Sequence, residues 1–419
     1  MQLIQQNKIY TYFNHIINVL VASFFLSVLT FKKGYSYAPI ILGSFSFIYL
    51  LIYLFKKKGK FNLDSNDKPF IMAFLGYFMT FVLSAVIHDG GLKEIDNPSR
   101  ILLFLTLIFL FQHFSLNIKL ILHILPISSA FLGILAVYQK FYLNLSLPFP
   151  GHMHIQAGDI AVTIAAFSFA ISIHFLSKKN YKLTALYLVC SFLGILASIL
   201  TTARGGWVGL PFVLASIILF YRQSFNKKLL FLFLVILASA ITIIGINSKT
   251  GVIKRYEDAK SDIVRYIDKK EKNSSLGARF DMWENAWLGI KEKPIFGWGN
   301  KGYRELKQSQ QIAGTLAITT LKFNDAHNQY LDTAVKRGII GLIGLLMVIL
   351  IPFKYFLQNV KNEDEEIKCV AVLGCTLVIS HLFFFLSQTF FGHTSGTTFY
   401  FFLSTLFYLM LKQLKVKSA

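Results

Sequence analysis

His327 is the side chain in this 419-residue sequence best suited to move a proton. It lies within Phe323-Asn324-Asp325-Ala326-His327-Asn328-Gln329-Tyr330. Imidazole is the side chain whose charge ordinarily changes between about pH 5 and 8, which suits removal of a proton from a hydroxyl. The competing reading is a polar histidine at a helix end. Asn324 or Asp325 can cap a helix that runs through Tyr330, Leu331 and Val335. Gly338 and Gly341 follow His327 by close to three and four helical turns, so the three would share a stripe. On that reading the glycines admit a neighbouring helix, and the imidazole sits about 16 Å above Gly338.

Two arginines have the surroundings of an anion clamp. Arg204 occurs in Thr201-Thr202-Ala203-Arg204-Gly205-Gly206-Trp207. One reading is an interfacial anchor beside Trp207. The other is a clamp for a lipid pyrophosphate, because the guanidinium fork matches phosphate oxygens and Gly-Gly lets backbone approach a ligand. Arg279 occurs in Ser275-Leu276-Gly277-Ala278-Arg279-Phe280. Ser274 or Ser275 can cap a helix whose apolar spacing runs through Phe280, Trp283, Ala286 and Trp287. That would place Arg279 in a first helical turn, where the free amides also favour an anion. Pro294 to Gly299 then ends the helix and turns the chain.

Other signals are weaker. His152-Met153-His154 reads more readily as interfacial polar residues than as a metal site. The sequence has no H-E-x-x-H, no D-x-D pair and no Walker A loop. Asp89 and Glu94 are acids of an outward loop with nothing to mark them out.

The elements that must position these residues are membrane helices. The chain is 54% hydrophobic and 16% aromatic, only 15% charged, with a mean hydropathy of +0.55. This is the composition of a polytopic membrane protein. Apolar runs long enough to cross a bilayer occur near 11–31, 37–55, 69–88, 100–115, 119–139, 159–177, 183–201, 205–221, 229–247, 338–357, 367–389 and 395–411. The expected fold is therefore all-α and polytopic, with about twelve transmembrane helices. The first run has no cleavage site behind it and reads as a retained span. Cys190, Cys369 and Cys375 fall in apolar runs as packing residues. One large polar loop lies between the ninth and tenth spans, so the chain divides into 1–246, 247–337 and 338–419.

The net charge of +21 follows from lysines and arginines gathered in alternate short loops, not from nucleic-acid binding. With the N-terminus inside, Lys56-Lys57-Lys58, Lys178-Lys179 and Lys227-Lys228 are cytoplasmic. The segment 247–323, with Lys254, Arg255, Arg265, Arg279 and Arg304, is then outside, in the periplasm of a Gram-negative cell. Arg204, Arg279 and His327 share that face, because the chain crosses twice between Arg204 and the long loop.

These residues resemble a known family. His327-Asn328, nine residues, then Gly338-x-x-Gly341 is similar to the histidine-to-glycine signature of the O-antigen ligase and polymerase superfamily. Thr202-Ala203-Arg204-Gly205 and Leu276-Gly277-Ala278-Arg279 resemble its two arginine segments, and the likeness covers about residues 150–350. The resemblance implies a GT-C-type glycosyltransferase of the bacterial inner membrane with its active site facing the periplasm. It implies a glycan donor on undecaprenyl pyrophosphate and a lipid A core acceptor, with no metal and no ATP. Arg204 and Arg279 would bind the pyrophosphate, His327 would be the catalytic base, and direct attack would invert the anomeric centre. The same residues would serve an O-antigen polymerase; a protein O-oligosaccharyltransferase is less expected, since that group tends to carry a long C-terminal soluble extension. A lipid-linked sugar flippase is disfavoured by the scarcity of Asp and Glu in the spans.

Overall fold

The computed structural model describes residues 2–56, 63–224, 252–269, 272 and 274–418, and every regular element among them is helical. Helices α1 (Gln2–Ser27), α2 (Gly34–Phe55), α3 (Asp67–Ile87), α4 (Lys93–Leu105), α5 (Leu107–Leu110) and α6 (Ile118–Val137) form the first half. They are followed by α7 (His154–Ser177), α8 (Tyr181–Leu200) and α9 (Arg204–Phe220). The polar insert holds α10 (Val252–Lys269), α11 (Ser275–Glu292) and α12 (Gly299–Ile312). Helices α13 (Gln329–Leu357), α14 (Glu365–Ser387) and α15 (Thr394–Ser418) complete the chain.

Seven of these helices are long and apolar enough to cross a bilayer: α2, α3, α6 with its extension to Tyr142, α7, α8, α13 and α14. They make this a multi-pass membrane protein. Gly205–Phe220 is apolar but shorter. The expected run at 229–247 lies outside the described residues. The expected run at 100–115 is not one helix, since α4 stops at Leu105 and α5 at Leu110. Thr106 stands at the break, where its hydroxyl donates to the Leu103 carbonyl at 2.7 Å and competes with the helical ladder.

Helix α7 is the axis of the bundle, buried without interruption from Gln156 to His174. Small residues let its neighbours approach as backbone surfaces. A Cβ on Gly194 of α8 would lie 2.9 Å from the Ala165 methyl, and one on Gly133 of α6 would lie 2.4 Å from the Leu193 carbonyl oxygen. All three cysteines are buried and unbridged, as their apolar settings predict.

Outside the bundle, α11, α12 and the start of α13 close over a second small core of Ala286, Tyr303, Leu306, Ala326 and Val335. Its attachment to the membrane helices depends on Gly338. This residue breaks α13 at φ 63°, ψ −160°, a conformation essentially confined to glycine. The Pro294–Trp298 connection lies against the break, with the Ile339 amide donating to Pro294 O at 2.8 Å and the Trp298 amide to Val335 O at 2.9 Å. A Cβ on Gly338 would lie 2.1 Å from the Ile295 carbonyl oxygen. The glycine thus admits a loop, not the neighbouring helix expected from sequence. The helix contact falls at Gly344, against Tyr77 and Thr80 of α3. Gly338→Ala combines backbone strain with a clash, and a loss of about 2–6 kcal/mol is expected. Thermal unfolding of the detergent-solubilised variant measures it, and a melting temperature equal to wild type would contradict this role.

Candidate active site

Four backbone carbonyls and one amide fix the segment that carries His327. Lys307 of α12 donates to Thr320 O at 2.8 Å and Phe323 O at 2.7 Å. Lys336 of α13 donates to Asn324 O at 3.0 Å. Trp283 of α11 donates from Nε1 to Ala326 O at 3.0 Å. The Ala326 amide donates to Asp332 Oδ1 at 3.2 Å. Burial pushes the Lys307 ammonium down to about 8, against the pull of Asp325. Three helices therefore hold one loop by its peptide groups, which preserves its shape without constraining the side chains that project from it.

His327 sits just outside α13 and not on it. Asn328 is the N-cap, accepting from the Tyr330 and Leu331 amides at 3.0 and 3.1 Å, in place of the expected Asn324 or Asp325. His327 has a left-handed backbone, φ 48°, so the single stripe with Gly338 and Gly341 does not form. The turn instead curls back on Asp325. Its Oδ1 lies 2.7 Å from His327 Nδ1 and accepts from the His327 amide at 2.8 Å. Thr389, from the α14–α15 connection, donates to the same oxygen at 3.2 Å. Burial raises the Asp325 carboxyl, but the His327 imidazole and Lys336 outweigh it and hold it well below the usual carboxylate range. The carboxylate stands at ion-pair distance from Nδ1, and a proton favoured there by its charge would leave Nε2 as the basic nitrogen.

Arg279 meets His327 across a cavity of about 270 Å³, lined also by Ser274, Lys322 and Phe323. Ser274 caps α11, accepting from the Gly277 amide at 3.0 Å. Arg279 is the fifth residue of that helix, one position beyond the first turn predicted for it. The cavity floor therefore carries a cation, a helix N-terminus and an imidazole.

Arg204 is the first residue of α9, after a turn with Thr202 at φ 60°. Gly205 and Gly206 do not open the backbone to a ligand, as the sequence suggests. A Cβ on Gly205 would lie 2.4 Å from Ser387 Oγ, and one on Gly206 would lie 2.8 Å from Asp159 Oδ1. They let α9 begin in contact with α7 and α14. Both contacts lead to the same place: Asp159 is within electrostatic reach of Arg279, and Ser387 lies two residues before Thr389, the Asp325 partner. The start of α9, Arg279 and His327 are thus brought to one region.

Sequence reasoning missed Asp325, Thr389, Asp159 and His393. His393 accompanies Gln388 at 3.0 Å in the α14–α15 connection, and burial lowers its imidazole against the pull of Asp325. The signal available for Asp325 was its position two residues before His327, which suits a turn that hydrogen-bonds its own backbone.

A family model described as O-antigen ligase matches residues 189–346, a span that contains Arg204, Arg279, Asp325 and His327. An uncharacterized protein of Haemophilus influenzae is 48% identical over 385 residues, 92% of this chain and 96% of that protein. The exopolysaccharide production protein ExoQ of Rhizobium meliloti is 26% identical over 105 residues, 25% of this chain and 24% of its own length.

Proposed function

The chain belongs to the O-antigen ligase superfamily, and from that membership we propose that it transfers a glycan from undecaprenyl pyrophosphate to a sugar hydroxyl of the lipid A core. The observation that supports this reading best is the cavity shared by Arg279 and His327. It sets an anion-binding cation opposite a base whose orientation is fixed by Asp325. In the proposed reaction the acceptor oxygen attacks the anomeric carbon and the bond from that carbon to the phosphate oxygen breaks. Undecaprenyl pyrophosphate leaves with the bonding electrons, and the hydroxyl proton passes to His327 Nε2. Attack from the face opposite the leaving group inverts the anomeric centre. Arg279, and Arg204 at the head of α9, supply positive charge as the pyrophosphate separates. The site faces the periplasm of the inner membrane, and no cofactor enters the scheme.

Arg279→Ala is expected to lower transfer about 10²–10³-fold. The test is a lipopolysaccharide gel from cells lacking their own ligase, complemented with wild type, Arg204→Ala or Arg279→Ala. Wild type is expected to restore a ladder on lipid A core, while each variant leaves polymer on the lipid carrier. The likeness to an exopolysaccharide production protein favours one alternative, a polymerase that joins lipid-linked glycans with the same residues. No ladder, with lengthening of repeats in a polymerase-deficient strain, would replace the ligase reading with that one.

A further inference from the structure

A second cavity, of about 440 Å³, lies on the other side of Asp325 and is within the range of small-molecule clefts, about 300–1,000 Å³. Phe81, Glu94, Arg304, Asp332, Arg337 and Phe391 contribute to its wall. Charges of both signs beside aromatic rings suit a hydroxylated sugar better than a bare anion. The distinctive member is Arg337, only 7% exposed although it carries a charge. Its Cζ lies 3.9 Å over the Phe81 ring and its Nη2 donates to Thr333 Oγ1 at 3.3 Å, while Nε has no partner.

Of the acids lining the cavity, Asp89 is exposed and the other three are already engaged. Asp332 pairs with Lys336 at 2.8 Å, Asp325 with His327 at 2.7 Å, and Glu94 accepts the Asn300 amide at 3.2 Å. Among the described residues Arg337 has no ion-pair partner. A buried cation without a counter-ion is costly, and a bound anion relieves that cost. We propose that this cavity is an acceptor-side subsite in which Arg337 clamps an anionic sugar substituent, a carboxylate or a phosphate ester, through its guanidinium fork. This rests on the transferase reading above. The two cavities flank the Asp325–His327 pair, the larger lined by Asp325 and the smaller by His327. An acidic sugar held in the larger one places a neighbouring sugar's hydroxyl at the base.

The test uses the full chain in lipid nanodiscs with a lipid-linked glycan donor. The acceptor is rough lipopolysaccharide in three forms: untreated, phosphate-stripped and carboxyl-reduced. For Arg337→Gln the acceptor KM on untreated material is expected to rise about tenfold or more, with donor KM and kcat nearly unchanged. Arg337→Lys keeps the charge and the stem, recovers part of the loss, and carries the comparison if the glutamine variant fails to fold. The penalty is expected to vanish on the acceptor that lacks the relevant anion, which distinguishes phosphate from carboxylate. No penalty, or an equal penalty on all three forms, overturns the proposal. If wild type transfers to none of them, the transferase reading fails separately, and direct binding of the same three glycans decides the subsite. Preferential binding of an anionic form that Arg337→Gln abolishes supports it, and binding indifferent to Arg337 overturns it.

Discussion

His327→Ala is expected to lower glycan transfer about 10²–10⁴-fold, with the protein still inserted and monodisperse and lipid-linked glycan accumulating behind the block. The selectivity of that loss follows from how the residue is held. Its loop is fixed through peptide groups by Lys307, Lys336 and Trp283, none of which touches the imidazole in doing so. The ring itself projects between Phe323, at 4.9 Å between centroids, and Asp325. Alanine has two structural costs, the loss of the imidazole beside Asp325 and the left-handed backbone at φ 48°. Asparagine adopts that region more readily, so His327→Asn separates chemistry from folding. Both variants are expected to lose transfer alike and to lose the partner of Asp325, while alanine lowers the melting temperature further. Initial rates with purified protein and labelled donor decide this. A rate within a few-fold of wild type for either variant would remove His327 from the proton-transfer step.

The sequence made the helical class and the helix that presents one candidate arginine legible because both are carried by local signals. Apolar runs announce spans, and Ser274, with Phe280, Trp283 and Ala286 behind it, announces the helix that presents Arg279. Illegible were the contacts formed by chain segments far apart in sequence. Extrapolating α13 backward through Asn328 gave His327 a helical address, because nothing in sequence distinguishes a capping Asn328 from a capping Asp325 until their side chains choose partners. Gly205-Gly206 and Gly338 were recognised as positions of close approach, but the approaching groups are Ser387, Asp159 and the Ile295 carbonyl. Spacing along a chain predicts which faces align. It does not say which distant segment will fill the space a missing Cβ leaves.

Asp325→Asn is expected to reduce kcat by a factor approaching about 10⁴, the loss seen when a carboxylate that orients a catalytic imidazole becomes an amide. The amide keeps the size of the side chain and can still accept from the His327 amide and Thr389. It cannot favour the proton on Nδ1 as a carboxylate does, so the base at Nε2 is lost with the geometry largely kept. A pH effect on stability accompanies the change and has a definite sign. The folded Asp325 carboxyl is held below its unfolded value, because His327 and Lys336 outweigh burial. Its contribution to stability is therefore complete above about pH 4, the ordinary range of an aspartate, and is lost as pH falls through the lower folded value. Wild type should lose melting temperature on acidification below about pH 4, and Asp325→Asn should lose less, because it has no carboxylate left to protonate. If instead kcat falls only a few-fold while the acid dependence flattens, Asp325 is a structural ion-pair partner and the imidazole is oriented by something else. Transfer rates and melts on the same preparation separate these outcomes, since the catalytic loss is read near neutral pH, where the stability contribution of Asp325 no longer changes.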